Sequence, residues 1–151
     1  MVKIMFVCTG NICRSAMAHI MLENLAKEKK KDIEVYSCGI YAEDGAHSTR
    51  QAIDTMKYDY DMDLTKHRAT NIRNSNIEEM DYILCATYTH KIMVIGMYPK
   101  LKEKVFTMKE FVSDGNSKDL DLKDPWGYDI EIYRSCAKEI YEIVNKIIDK
   151  V

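Results

Sequence analysis

Apolar residues fall along this chain in two rhythms. Lys3 to Val7, Lys-Ile-Met-Phe-Val, is a nearly unbroken apolar run, the pattern of a strand covered on both faces. Ile33 to Ser37 alternates and is β-branched, which predicts a second strand. Asp81 to Ala86 and Val105 to Met108 predict a third and a fourth. Between them the rhythm changes to the helical one. Ser15 to about Lys30 places Met17, Ile20, Met21 and Leu25 on one face, and Ser48 to about Tyr58 is a second helix with Ser48 as a plausible N-cap. Asn76 to Met80 fits a short helix, and Thr89 to Met97 a longer one that stops before Pro99. The last helix runs from about Ile130 to Lys150, with Tyr133, Ala137, Ile140, Tyr141, Val144, Ile147 and Ile148 as its apolar stripe. Two polar segments stand out: Cys8 to Arg14 after the first strand, and Ser113 to Tyr128 before the last helix.

Strands that alternate with helices pair in parallel through right-handed crossovers. The expected fold is therefore α/β: a single small doubly wound domain, with a four-stranded parallel sheet and helices on both faces. Ligands of such sheets bind beyond the carboxyl ends of the strands. Both polar segments follow a strand and reach that edge.

The bulk composition narrows the function by exclusion. A chain of 151 residues is one domain's worth, and 46% hydrophobic residues with 2 Pro and 6 Gly exclude a disordered or collagen-like chain. Lys plus Arg number 22 against 24 Asp plus Glu, so no basic excess points to nucleic acid or to an anionic membrane. No segment approaches the roughly 18 unbroken apolar residues of a membrane span, and no small-residue cleavage site follows the apolar start. The five cysteines, Cys8, Cys13, Cys38, Cys85 and Cys136, are odd in number, widely spaced and without a Cys-x-x-Cys pair. That argues against a disulfide framework and against structural zinc, and for reduced thiols in the cytoplasm.

The chemistry concentrates in Cys8-Thr9-Gly10-Asn11-Ile12-Cys13-Arg14-Ser15. A cysteine, five residues and an arginine span the gap between a buried strand and a helix. Backbone N–H groups at a helix N-terminus cradle an anion, Gly10 gives the loop conformational room, and Arg14 offers a planar fork for two phosphate oxygens. The same positive field favours the thiolate form of Cys8, which in line with a bound phosphate can attack phosphorus. Ser15 can donate to the Cys8 sulfur. A bare Cys-x5-Arg is more often a buried thiol and a solvated charge; the flanking strand and helix, the glycine and the serine reverse that balance here. A nucleotide P-loop is excluded, since no G-x-x-x-x-G-K-[ST] occurs. Such chemistry also needs a proton donor for the leaving oxygen. Asp124, in Asp124-Pro125-Trp126-Gly127, is the most distinctive carboxylate, though on spacing alone an ordinary Asp-Pro turn accounts for it better.

The whole chain resembles the low-molecular-weight protein tyrosine phosphatase family. The resemblance is carried by Val7 to Ser15, Ser37-Cys38-Gly39, His67-Arg68-Ala69, Asp81 to Cys85, Lys104 to Thr107 and Asp124 to Gly127. It implies one phosphatase domain over residues 1–151, needing no metal or cofactor, that acts as a monomer on a phosphorylated protein or peptide. It further implies Cys8 as nucleophile, Arg14 as phosphate and transition-state clamp, and Asp124 as general acid and later base. Thr9, Gly10, Asn11, Ile12, Cys13 and Ser15 would complete the phosphate-binding loop, with Asn11 bracing it. His67 would orient Ser15, Trp126 would wall the substrate cleft, and Cys13 would pair reversibly with Cys8 on oxidation. Cys38, Cys85 and Cys136 would be core residues.

Three positions depart from the family pattern: Ala16 replaces a usual Pro, His19 replaces a usual acidic residue, and a single aromatic, Trp126, precedes Gly127, with Tyr128 out of register. Thr9, Lys104 to Phe111 and the Trp126-Gly127 pair are similar to a bacterial branch containing protein arginine phosphatases, whose members carry Thr where this chain has Ile12. Ile12 is the residue usual in tyrosine phosphatases. The expectation is therefore phosphotyrosine hydrolysis through a cysteinyl-phosphate, with phosphoarginine as the alternative. A thiol-dependent arsenate reductase fits less well, because Cys85 lies in a strand pattern. A non-catalytic phosphate binder would need neither a reactive Cys8 nor Asp124.

Overall fold

The structure is a computed structural model that describes residues 1–151. Four strands form one parallel sheet: β1 (Val2–Cys8), β2 (Ile33–Gly39), β3 (Tyr82–Cys85) and β4 (Val105–Thr107), in the order β2-β1-β3-β4. Five helices accompany them: α1 (Arg14–Glu28), α2 (Arg50–Tyr60), α3 (Tyr88–Met97), α4 (Met108–Ser113) and α5 (Ile130–Lys150). This is the single α/β domain expected, with helices on both faces of a central β1.

The unbroken apolar run of β1 is explained by its two covers. Ile4, Phe6 and Cys8 join a core with Met17, Met21 and Leu22 of α1 and Ile140, Val144 and Ile147 of α5. Met5 and Val7 face the opposite way, into a smaller core with Ile72, Ile77, Met80, Val94 and Leu101. Buried side chains of this kind contribute roughly 1.5–3 kcal/mol each when taken from water, so a one-residue slip of β1, which would swap its two faces, is strongly disfavoured. The order in which strands are added reverses at β1, which pairs with β2 on one side and β3 on the other. The crevice at that switch point lies beyond Cys8.

Several boundaries differ from expectation. The N-cap of α2 is Thr49, not Ser48; its hydroxyl accepts from Ala52 N at 3.3 Å. The Ser48 hydroxyl is buried without a partner. The segment expected as a short helix over Asn76–Met80 is a single 3₁₀ turn, Ile77–Glu79. Met108 opens a helix instead of closing a strand, because Thr107 and Glu110 form a capping box. That box lies inside a mixed apolar and charged stretch whose period is too short to read. No helix is long and apolar enough to cross a membrane.

Candidate functional site

Cys8 is the last residue of β1 and Arg14 the first of α1, so the loop between them folds over the carboxyl end of the sheet. Its shape is fixed chiefly by Asn11, fully buried and left-handed at φ +57°. Asn tolerates that region better than most residues because its short polar side chain bonds locally. Here Asn11 Nδ2 donates to Ser15 Oγ at 2.8 Å, and Asn11 Oδ1 accepts from Thr70 N at 2.9 Å. The Ser15 hydroxyl stands 2.8 Å from Cys8 Sγ, and Asn11 N donates to the same sulfur at 3.3 Å. Cys8 thus sits at the floor of the loop with two hydrogen-bonding neighbours aimed at its sulfur.

His67 is not the partner of Ser15. Its Nε2 donates instead to the Asn11 carbonyl at 2.9 Å, bracing the backbone of the loop from behind. Burial pushes its pKa below the ordinary imidazole value, and the neutral ring has only one N–H to give. His19, uninterpretable as sequence, stands edge-on to His67 with ring centroids 5.9 Å apart, 2.7 Å from Ser37 Oγ and 3.5 Å from Glu23.

The walls of the loop are donors. The amides of Gly10, Ile12 and Cys13 have no intramolecular acceptor, and α1 is the one long helix without a side-chain cap. Arg14 is almost fully buried. Its Nη1 donates to the Leu122 carbonyl at 3.0 Å and its Nη2 faces Asp124 Oδ2 at 3.5 Å, while Nε is buried with no partner. A buried guanidinium N–H left unpaired costs more than a neutral one, so the group calls for an anion in the loop.

Asp124 arrives from the distant polar segment before α5. Leu122, buried in that segment, anchors it: Leu122 N donates to Ala86 O at 2.9 Å. Asp124 Oδ1 accepts from Trp126 N at 3.1 Å, which aligns the carboxylate. Cys8, Thr9, Gly10, Ile12, Cys13, Arg14, Asp124 and Trp126 together line one cleft of about 250 Å³. A larger cleft of about 480 Å³ lies between α2 and α5, lined by Tyr58, Asp59 and Arg134, but it holds no thiol. Trp126, 63% exposed, stands at the mouth of the first cleft. Cys13 Sγ is 4.0 Å from Asp124 Oδ1. Burial, then the neighbouring Cys8, pushes its pKa up to about 12. All five cysteines are free and buried, with Cys38, Cys85 and Cys136 in the core. No three His, Cys, Asp or Glu side chains gather where they could hold a metal ion.

Two residues at the site, Leu122 and His90, were not singled out by the sequence, and Gly39 was named only as part of Ser37-Cys38-Gly39. Leu122, with Leu120, is one of two leucines in a polar stretch, a signal that could have been read as an anchor. Gly39 lies where β2 meets the loop: a Cβ there would stand 2.6 Å from the Thr9 carbonyl oxygen. His90, on the first turn of α3, reaches Thr9 from the β3 side; a Thr-x-x-His at a helix start is its only sequence trace.

A thiol at the end of a central strand, a buried arginine and a ring of free amides define an anion-binding α/β protein of the cysteine-phosphatase class. Residues 3–151 match the family model for low molecular weight phosphotyrosine protein phosphatase, and the chain belongs to that family. It is 34% identical over 149 residues to a protein-arginine-phosphatase of Geobacillus stearothermophilus, covering 99% of this chain and 95% of the relative. It is 32% identical to the low molecular weight protein-tyrosine-phosphatase PtpB of Staphylococcus epidermidis, covering 96% of each. A crystal structure of a low molecular weight protein tyrosine phosphatase from T. tengcongensis superposes with a TM-score of 0.93 over the full length of both chains, at 34% identity. The chain is a cysteine-based phosphatase of this family acting on a phosphorylated substrate.

Proposed function

We propose that the chain hydrolyses protein phosphotyrosine through a cysteinyl-phosphate. The observation that carries the anion-binding half of this reading is the unpartnered, buried Nε–H of Arg14 beside the floor thiol. A phosphoryl group seated in the loop meets that N–H and the free loop amides. Cys8 attacks phosphorus from below, its sulfur steadied by the Ser15 hydroxyl and Asn11 N–H. As the P–O bond breaks, Asp124 donates a proton to the leaving phenolate oxygen. Water, deprotonated by the same carboxylate, then attacks the phosphocysteine, releasing inorganic phosphate and the Cys8 thiolate. Arg14 and the amides hold the charge that develops on the equatorial oxygens throughout.

The choice of phosphotyrosine rests on Ile12 and Trp126. Both line the cleft, and together they offer apolar surface for a phenyl ring and no hydrogen-bond acceptor. Phosphoarginine is the second reading, supported by the relatives that are protein arginine phosphatases. Steady-state kinetics on matched phosphotyrosine and phosphoarginine peptides test the choice; a wild-type preference for phosphoarginine refutes it. Cys8→Ser tests the mechanism: turnover of an aryl phosphate disappears while vanadate still binds, and a Cys8→Ser protein with substantial activity rules the mechanism out.

A further inference from the structure

Thr9 contributes the only hydroxyl among the residues lining the cleft, and its hydrogen bond is unusual for a surface residue. Thr9 Oγ lies 2.8 Å from Nε2 of His90, a ring that is only 6% exposed. The other nitrogen, Nδ1, is 2.9 Å from the Thr87 hydroxyl, which is also the N-cap acceptor of the His90 amide at 3.1 Å. The ring is therefore clamped at both nitrogens between the end of β3 and the start of the loop. Thr9 is held on its backbone as well, where its carbonyl accepts from Tyr41 N at 2.9 Å.

Two arrangements of hydrogens satisfy this chain, and the field of the site chooses between them. The cleft is already rich in donors: Arg14, the loop amides and the N-terminus of α1. A hydroxyl hydrogen turned toward them is repelled, and the oxygen's lone pairs are attracted. The consistent set has Nδ1–H donating to Thr87 Oγ, whose two lone pairs then take both His90 donors, and Thr9 Oγ–H donating to the bare Nε2. Burial first, and Arg14 next, bring the pKa of the ring down to about 4, so Nε2 stays free to accept at neutral pH.

We infer that His90 is a positioning residue that turns the Thr9 hydroxyl hydrogen out of the cleft, so that Thr9 Oγ becomes a fixed hydrogen-bond acceptor for a leaving group that carries N–H donors. The inference rests on the reading of this cleft as a phosphatase site and names the residues that would contact its second candidate substrate, phosphoarginine. A phenolic leaving group has no hydrogen to offer Thr9. A guanidinium does, and in this cleft its other acceptor is Asp124, which is occupied with the proton that must be transferred. Ile12 then provides the wall for a ring and Thr9 the contact for a planar cation, so phosphoarginine is hydrolysed alongside phosphotyrosine.

The test compares kcat/KM on two peptides of one sequence, bearing phosphotyrosine or phosphoarginine. Thr9→Val lowers the phosphoarginine value by about ten- to a hundredfold more than it lowers the phosphotyrosine value, the usual range for losing a hydrogen bond to a charged group. His90→Leu reproduces that pattern. The double variant Thr9→Val/His90→Leu is no worse than either single variant, since one acts through the other. His90→Gln, whose amide oxygen reaches toward Thr9, restores most of the loss. If His90→Leu fails to fold, exposed Thr9→Val and the isosteric His90→Gln still decide the matter. Equal losses on both peptides, additive effects in the double variant, or a wild type active on phosphotyrosine alone would each overturn the inference. A wild type inactive on both peptides overturns the functional reading itself, and this inference with it.

Discussion

Gly39→Ala is the substitution whose effect the structure determines most closely. Gly39 closes β2 and packs against the phosphate-binding loop from outside it. Its backbone is not left-handed, so the requirement is for space, not for conformational freedom. An added Cβ would lie 2.6 Å from Thr9 O, 2.8 Å from Asn11 N and 2.9 Å from the Gly10 carbonyl carbon, all backbone atoms that cannot rotate aside. Ordinary contact begins near 3.4 Å, so the loop must retreat by about 0.5–0.8 Å, against the neighbouring bonds from Ile40 N to Cys8 O and Tyr41 N to Thr9 O. A misplacement of about 1 Å at reacting groups costs on the order of 10²-fold, and overpacking costs roughly 1–3 kcal/mol of stability. Gly39→Ala should therefore lower kcat/KM for an aryl phosphate by about 10- to 100-fold and weaken vanadate inhibition in parallel, while the protein still melts cooperatively at a lower temperature. A folded Gly39→Ala protein with kcat/KM and vanadate affinity within about twofold of wild type would refute the argument that β2 gauges the loop.

Asp124→Ala should reduce kcat by roughly 10²–10⁴-fold, the span expected for a general acid. The loss should shrink for nitrophenyl phosphates, whose leaving groups need little protonation, and an equal loss across leaving groups would move the acid elsewhere. Ile12→Thr, similar in bulk and also β-branched, should shift selectivity toward phosphoarginine by about ten- to two-hundredfold; proportional slowing on both peptides would remove Ile12 as a selectivity residue. The neutral state of His90 predicts a pH dependence of stability. Its folded pKa of about 4 lies below the ordinary 6.5, through burial first and Arg14 second, against the pull of Asp124 and Asp121. Its contribution is thus complete above pH 6.5 and is lost as pH falls through that window toward 4, because the unfolded chain takes up the proton first. The shift corresponds to about 3 kcal/mol. Urea titrations at pH 7 and pH 4.5 should show a smaller acid loss for His90→Gln than for wild type, and parallel losses would contradict this account.

Much of the molecule could be read from local pattern. The apolar run before Cys8, the helical period after Arg14 and the stripe of α5 each bury surface in the only way their periodicity allows, and together they imply the four-stranded parallel sheet. The loop was legible for the same reason: a nucleophile, a clamp and the helix that supplies the amides are contiguous in the chain. Asp124 and Trp126 were visible as types, but nothing local carried them to a cleft whose floor lies more than 100 residues earlier; Leu122, fastened to Ala86 and Arg14, does that. The partner of His67 went the same way. Pattern could mark a histidine for the loop, but only packing decided between the Ser15 hydroxyl and the Asn11 carbonyl, which differ by a few ångströms in three dimensions and by nothing in periodicity. The short elements also escaped, because a six-residue helix such as α4 holds fewer than two turns and is decided by its cap. The sequence thus determined which chemistry the chain carries, since those groups are neighbours along the backbone. Tertiary structure decided which remote residues serve it, Gly39 by the room it leaves and His90 by the hydroxyl it holds, because contacts across strands depend on register and packing that no single segment encodes.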